Sequence, residues 1–404
     1  MLPSRRWFYS AVLALACGGG VVEAGTITVG NGGITTIQQA IDAALANADT
    51  SDTINIPSGI YAESVYISLT GTPTQASLAL QRSGKGLVQI VGTSADKNAV
   101  RIQDAHGITL KNLTVQSFSA ADGDEPAVEI GGVTSNVVLD GVSGVAGDDV
   151  GVVVSGTTTA GVLLKKCNFS GMTKVAFSID GNAHTLDGCV ADDVGGNAFL
   201  LSGTSTNCLL LNCSSDALTA SDVSHPGLFT IRGTGHRLEK CTVKAAASHG
   251  FFFDGAAHRA VKCVAQDCDV GFIALGTQVL LESCTSRLNT YGFQGGAEGG
   301  LILGGSFSDN TVHGVELTQN GMSVRNATLN SNLGQGIRVT AGVERSALVG
   351  NKFKSNGGDA IQVLGDNNWL ESNKATGDSF VDLGTQNAGR ANKVSGSGLT
   401  NDFP

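Results

Sequence analysis

Leu238-Glu239-Lys240-Cys241-Thr242-Val243 and, after a short loop, Gly250-Phe251-Phe252-Phe253 carry the two patterns on which the rest of the chain is built. The first is an apolar residue, two variable positions, a small marker, one variable position and a second apolar residue. It is seen again in Leu164-Lys165-Lys166-Cys167-Asn168-Phe169. The second, a small residue followed by alternating apolar ones, returns as Ala176-Phe177-Ser178-Ile179, Ala198-Phe199-Leu200-Leu201 and Leu228-Phe229-Thr230-Ile231. It continues through Gly271-Phe272, Gly292-Phe293, Gly314-Val315, Gly336-Ile337, Ala360-Ile361 and Phe380-Val381.

The marker of the first pattern falls at Leu113, Val142, Cys167, Cys189, Cys213, Cys241, Cys263 and Cys284, then at Ser306, Ala327, Asn351, Asn373 and Ser397. The mean period is about 24 residues, a length shared by leucine-rich repeats and parallel β-helices. Leucine-rich repeats need a fixed leucine framework and one strand per turn. Here each period holds at least two strands with alternating Val, Ile, Phe and Thr, separated by Gly, Asn and Asp. The pattern predicts an all-β fold, a single right-handed parallel β-helix with coils of about 24 residues.

Composition agrees. Glycine is abundant (56 of 404), proline scarce (6), and 41% hydrophobic residues with 15% charged exclude a disordered chain. The net charge of −10 argues against nucleic acid or an anionic membrane as the principal partner.

Six cysteines at one phase of successive coils predict a buried column. Stacked rungs lie ~4.8 Å apart, wider than the roughly 3.5–4.5 Å between Cβ atoms of a disulfide, so reduced thiols filling the core are expected. Phe177, Phe199, Phe229, Phe251, Phe272 and Phe293 form a second interior column.

Three segments are expected. Residues 1–24 read as an export signal: Arg5 and Arg6, the short apolar run Ala11 to Ala16, then Val22-Glu23-Ala24 before Gly25. Ser4-Arg5-Arg6-Trp7-Phe8 also resembles the twin-arginine export pattern, an ordinary secretory signal being the alternative. The mature chain is expected in the periplasm or outside the cell, as a monomer with no membrane span. Residues 25–97 form a cap and the first coils. Thr36 to Gln39 make a capping box, and Ile37, Ala40, Ile41, Ala44 and Leu45 fall on one helical face that would shield the open end of the solenoid. Residues 98–404 continue the β-helix, with Gly396 to Pro404 as a fraying end. The stretch from Ile54 to Val65 resembles the start of pectin-lyase-like β-helix proteins, which implies the same fold.

Because the interior is full, chemistry is expected on outward stripes. Three residues past each marker stand Ser170, Asp192, Asp216, Lys244, Gln266, Arg287, Asp309 and Asn330. Asp193 adjoins Asp192, Asp148 and Asp149 lie in the corresponding turn, and Asp122, Asp124 and Glu125 enter it. An insertion at Leu218 to Pro226 brings Asp222 and His225 to its side. Clustered carboxylates repel unless a cation sits between them. Asp192, Asp193, Asp216 and Asp222 are the candidate ligands of Ca²⁺, which takes six to eight oxygens. Lys244 is the candidate base, Arg287 the substrate clamp, and His225 and Asp309 are further substrate contacts. Such a set suits β-elimination on an acidic polysaccharide. The competing reading is turn chemistry, since Asp is common in turns.

Residues 176–293, with His236-Arg237-Leu238-Glu239-Lys240-Cys241 and His258-Arg259-Ala260-Val261-Lys262-Cys263, resemble the coils of family-nine polysaccharide lyases. That resemblance implies an aspartate cluster holding Ca²⁺, matched to Asp192, Asp193, Asp216 and Asp222, and a lysine base matched to Lys244. Hydrolysis by paired carboxylates, as in the polygalacturonases of this fold, is suggested only by Asp192-Asp193.

Five residues before the markers stand His184, Cys208, His236 and His258, on four consecutive coils. Imidazole and thiolate suit Zn or Cu, and the nearest resemblance on that reading is to periplasmic β-helix proteins that assist copper-enzyme maturation. Stacked turn histidines bonded to backbone carbonyls explain the column without a metal. A non-catalytic carbohydrate-binding or surface β-helix is the alternative to the lyase.

Overall fold

The computed structural model describes residues 24–47, 49–70, 75–93, 97–118, 125–216, 226–396 and 398–403. Apart from Ala24, the expected leader lies outside them, as do Asp122, Asp124, Asp222 and His225.

Each coil visits three sheets in turn. In one coil, Phe251–Phe253 lies in sheet 3, Arg259–Val261 in sheet 1 and Val264–Gln266 in sheet 2. Sheet 1 has 16 strands and sheet 3 has 14. Sheet 2 comprises ladders of 4 and 9 strands joined through single bridges at Asn168 and Val190. Pairing within every ladder is parallel and in register, for example Arg237↔Arg259↔Leu280↔Leu301. The chain is therefore a parallel β-helix, and the coil pattern read from the sequence is what the register repeats.

The marker turn between sheets 1 and 2 is short and regular. The residue before the marker takes a left-handed backbone, as in Asn212 (φ 51°), Lys240 (φ 53°) and Lys262 (φ 54°). The marker then points inward. Cys167, Cys189, Cys213, Cys241, Cys263 and Cys284 are buried and free, as expected. Five of the thiols donate to a carbonyl of the preceding coil: Cys167 to Leu139, Cys189 to Leu164, Cys213 to Leu186, Cys241 to Leu210 and Cys284 to Ala260, at 3.4–3.5 Å.

Two markers are corrected by the register. Thr285 pairs with Ser306 and Lys374 with Lys393, so the equivalents of Cys284 and Asn373 are Gly305 and Asn392, not Ser306 and Ser397. The column thus ends in Asn351, Asn373 and Asn392. Their Nδ2 atoms donate to Val324, Leu348 and Leu370 at 2.9, 2.8 and 3.0 Å, three residues before the preceding marker, as the thiols do.

The phenylalanine column is also present. Ring centroids of Phe177 and Phe199 lie 5.0 Å apart, Phe199 and Phe229 4.4 Å, and Phe251 and Phe272 4.9 Å. Such pairs add about 0.5–1.5 kcal/mol each beyond the area they bury. The small residue before each Phe has a steric cause: a Cβ on Gly250 would lie 2.7 Å from the Gly271 carbonyl oxygen.

Helix α1, Ile37–Ala46, covers one end of the core with Ile37, Ala40, Ile41 and Ala44. Thr36 Oγ1 accepts from Gln39 N–H at 3.1 Å, and Glu63 accepts the Ile37 and Gln38 N–H groups at 2.8 and 3.0 Å. Among the described residues no helix is long and apolar enough to cross a membrane. The other end differs from the expected fraying terminus. Asn401 bridges to Phe380, Phe403 is buried, and its carbonyl accepts from Asn392 Nδ2 at 2.8 Å, so the last residues close the core.

Candidate functional site: the outer face of sheet 2

Strands of the nine-stranded ladder of sheet 2 are three residues long, with the middle side chain inward and the flanking two outward. Register makes Asp216, Lys244, Gln266 and Arg287 direct neighbours on four successive coils. Asp192 stands one coil earlier, beside Asp216, through the Val190↔Ser214 bridge. The next outward position after Arg287 is Ser308. Asp309 is displaced by one residue into the following turn (φ 61°) and leaves the ladder.

Hydrogen bonds tie the acidic end together. Asp192 N–H donates to Ser170 Oγ at 3.0 Å, and Asp216 N–H donates to Asp192 Oδ1 at 2.7 Å. Burial raises the Asp192 carboxyl above the ordinary range. Asp216 and Asp193 push the same way, opposed by the Asp216 N–H and by Lys244. Asp193 is exposed with a left-handed backbone (φ 52°), and its N–H donates to the Asp216 carbonyl at 3.2 Å. Arg287 Nη2 donates to Gln266 Oε1 at 2.7 Å. In the neighbouring turn Asp148 accepts from Ser117 N–H at 3.0 Å, and burial pushes its carboxyl up to about 6. Asp149 pairs with Lys174 at 3.0 Å.

Asp192, Asp193 and Asp216 are the described candidate donors for Ca²⁺. Six to eight oxygens are needed, whereas one Asp192 oxygen is already held by the Asp216 amide. Among the described residues no group of three or more His, Cys, Asp or Glu side chains is arranged to hold a metal ion. Asp222, the fourth candidate ligand, lies outside the described residues.

Two rings of the histidine column are held by backbone amides. His184 Nδ1 accepts from Val162 N–H and His236 Nδ1 from Cys208 N–H, both at 3.1 Å. Asn368 Oδ1 does the same for Ser346 N–H at 2.9 Å, at the equivalent place further along. The expected bonds ran to carbonyls; the partners are N–H groups, because these rings replace a backbone acceptor. His236 and His258 stack with centroids 5.2 Å apart, and burial holds both imidazoles down at about 4. Burial lifts the Cys208 thiol to about 11. In His184 and His236 the Nδ1 lone pair is taken by an amide, which leaves the proton on Nε2, whereas both ring nitrogens of His258 are buried without a hydrogen-bond partner.

Two charged groups escaped the sequence reading. On sheet 3, Glu316 accepts from Gln294 Nε2 at 2.9 Å and pairs with Arg338 at 3.3 Å, with His313 Nε2 at 4.0 Å. His313 Nδ1 accepts from Gln335 N–H, which leaves the proton on Nε2, facing Glu316. On sheet 2, Lys352, Lys374 and Lys393 are register neighbours, with Lys354 beside Lys352. They stand one residue past the marker, so the misplaced marker at Ser397 hid the last of them.

A family model described as a right handed beta helix region matches residues 216–380. No curated protein sequence matches the chain. Among solved structures it is similar to the A-module of the Azotobacter vinelandii mannuronan C-5 epimerase AlgE4 (15% identity, 91% of this chain, 94% of that chain, TM-score 0.33). It is also similar to the catalytic domain of a GH87 alpha-1,3-glucanase in complex with nigerose (11% identity, 96% of this chain, 70% of that chain, TM-score 0.47). A third is tailspike protein 3 of bacteriophage CBA120 (13% identity, 94% of this chain, 61% of that chain, TM-score 0.42). The register makes this chain a parallel β-helix, and its coils over residues 216–380 are those that the right handed beta helix model matches.

Proposed function

We propose that the protein acts on an acidic, uronate-containing polysaccharide laid against the outer face of sheet 2, and cleaves it by β-elimination beside Lys244. The supporting observation is the ladder itself: Asp192, Asp216, Lys244, Gln266 and Arg287 stand on five successive coils although 95 positions separate the first from the last. Arg287, two coils from Lys244 and so about 10 Å along the axis, pairs with a uronate carboxylate. Lys244 takes the proton from C5. The electron pair left behind forms the C4=C5 double bond, the C4–O bond breaks, and the departing oxygen takes a proton from solvent. The leader-like start of the sequence supports a place of action outside the cytoplasm, and the single self-capped solenoid supports a monomer.

A second reading, binding without catalysis, is favoured by the position of the ladder on an open sheet face. Ultraviolet absorbance of unsaturated uronate, with polygalacturonate in the presence and absence of Ca²⁺, separates the two. Elimination predicts product from the wild type and a fall of about 10²–10⁴-fold in Lys244→Ala, the range of a lost general base. No product from any uronate polymer, with retained binding, would leave the non-catalytic reading standing.

A further inference from the structure

From Thr242 to Ser395, eight successive strands of sheet 2 read Thr-Val-Lys, Val-Ala-Gln, Thr-Ser-Arg, Ser-Phe-Ser, Thr-Leu-Asn, Lys-Phe-Lys, Lys-Ala-Thr and Lys-Val-Ser. They contain six cations, Lys244, Arg287, Lys352, Lys354, Lys374 and Lys393, and no Asp or Glu. The chain as a whole carries a net charge of −10, so this face is set apart from the rest.

Lys352, Lys374 and Lys393 are exposed and stacked in register. Rungs are ~4.8 Å apart, and like charges directly opposite each other repel. Among the described residues none of the three has a carboxylate within ion-pair distance. Arg390, which lies in sheet 1, is by contrast paired with Glu371 at 2.6 Å. Beside the lysines lies a shallow recess of 390 Å³, lined by Gly350, Lys352, Ser372, Lys374, Ala391 and Lys393. A stack of unneutralised ammonium groups is relieved by an anion that repeats at a similar interval.

We propose that this face is a docking track for a polyanionic polysaccharide lying along the solenoid axis, anchored on Lys352, Lys374 and Lys393 and reaching Arg287 and Lys244. The track spans seven rungs, about 34 Å. It takes its ligand class from the reading above, but its charge argument needs no catalysis. A nucleic acid fits less well, because the outward positions of these strands carry no aromatic residue on which bases could stack.

The test is electrophoretic retardation of the full chain in gels containing polygalacturonate, with neutral dextran as control. Three proteins are compared: wild type, the triple variant Lys352→Ala/Lys374→Ala/Lys393→Ala, and the triple Lys→Arg variant. The wild type should be retarded by polygalacturonate alone. The alanine variant should lose at least about tenfold in apparent affinity and show a weaker salt dependence, since screening acts on exposed charges. The arginine variant should retain binding, which excludes a folding defect as the cause. Retardation of the alanine variant within twofold of the wild type, or no retardation of the wild type, would overturn the track. Loss of binding in the alanine variant supports it whether or not unsaturated product forms, so failure of elimination is not read as failure of the track.

Discussion

His236 shows how one position can serve the backbone and still impose a pH dependence. Its Nδ1 accepts the Cys208 amide proton, and burial holds the ring at about 4. In the unfolded chain the same ring protonates near 6.5. Between those values the unfolded state binds more protons, so stability falls as pH drops from about 6.5 towards 4. His258 adds to the same window. Asn368 shows that an amide oxygen can fill the acceptor role. His236→Asn should therefore keep the bond and narrow the difference in unfolding free energy between pH 7.5 and 4.5, by on the order of 2 kcal/mol. Denaturant titrations at the two pH values measure it; an unchanged difference would refute the buried-neutral assignment.

The asparagine ladder and the cysteine column are one device made from two residue types. Asn373 Oδ1 accepts from Asn351 N–H and Nδ2, and its own Nδ2 donates to the Leu348 carbonyl and to Asn392 Oδ1. Removing that side chain strands buried donors and acceptors on both neighbouring coils. Asn373→Ala should cost about 1–3 kcal/mol, read as a lower denaturation midpoint with an unchanged slope. A loss below about 0.5 kcal/mol would mean the ladder does not hold the turns.

Much of this was legible in the sequence, because a fixed offset from each marker fixes which side chains turn inward. The cysteine and phenylalanine columns and the Asp192 to Arg287 ladder all followed from that counting, and the Thr36 capping box from its own Thr-x-x-Gln spacing. The counting failed at Ser306 and Ser397, where the coil slips by one residue or shortens and the true markers are Gly305 and Asn392. A one-residue slip sends a strand's side chains to the opposite face, which is why Asp309 was assigned to a ladder that Ser308 occupies. The lysine stack stands one residue past its markers, whereas the outward stripe was counted three residues past them. Glu316 and Arg338 are register partners at one offset from Gly305 and Ala327, and the misplaced marker at Ser306 hid that pairing.

For the entire solenoid, the net charge misleads about the partner. An acidic chain would be expected to repel a polyanion, yet the charge is distributed by sheet, and sheet 2 beyond Asp216 carries cations alone. Stacking turns a scattered set of lysines into a continuous surface, while the interior columns contribute rigidity and no chemistry. The cleavage and docking readings share one requirement, that the polymer lie on this face.

Lysine acetylation footprinting by mass spectrometry, with and without polygalacturonate, tests that requirement most directly. Polymer should slow acetylation of Lys244, Lys352, Lys354, Lys374 and Lys393 together, while Lys111 and Lys165, at the ends of sheet 1 strands, react at the same rate in both conditions. Equal protection of Lys111 and Lys165, or no protection of the sheet 2 lysines at a polymer concentration that retards the protein, would contradict it.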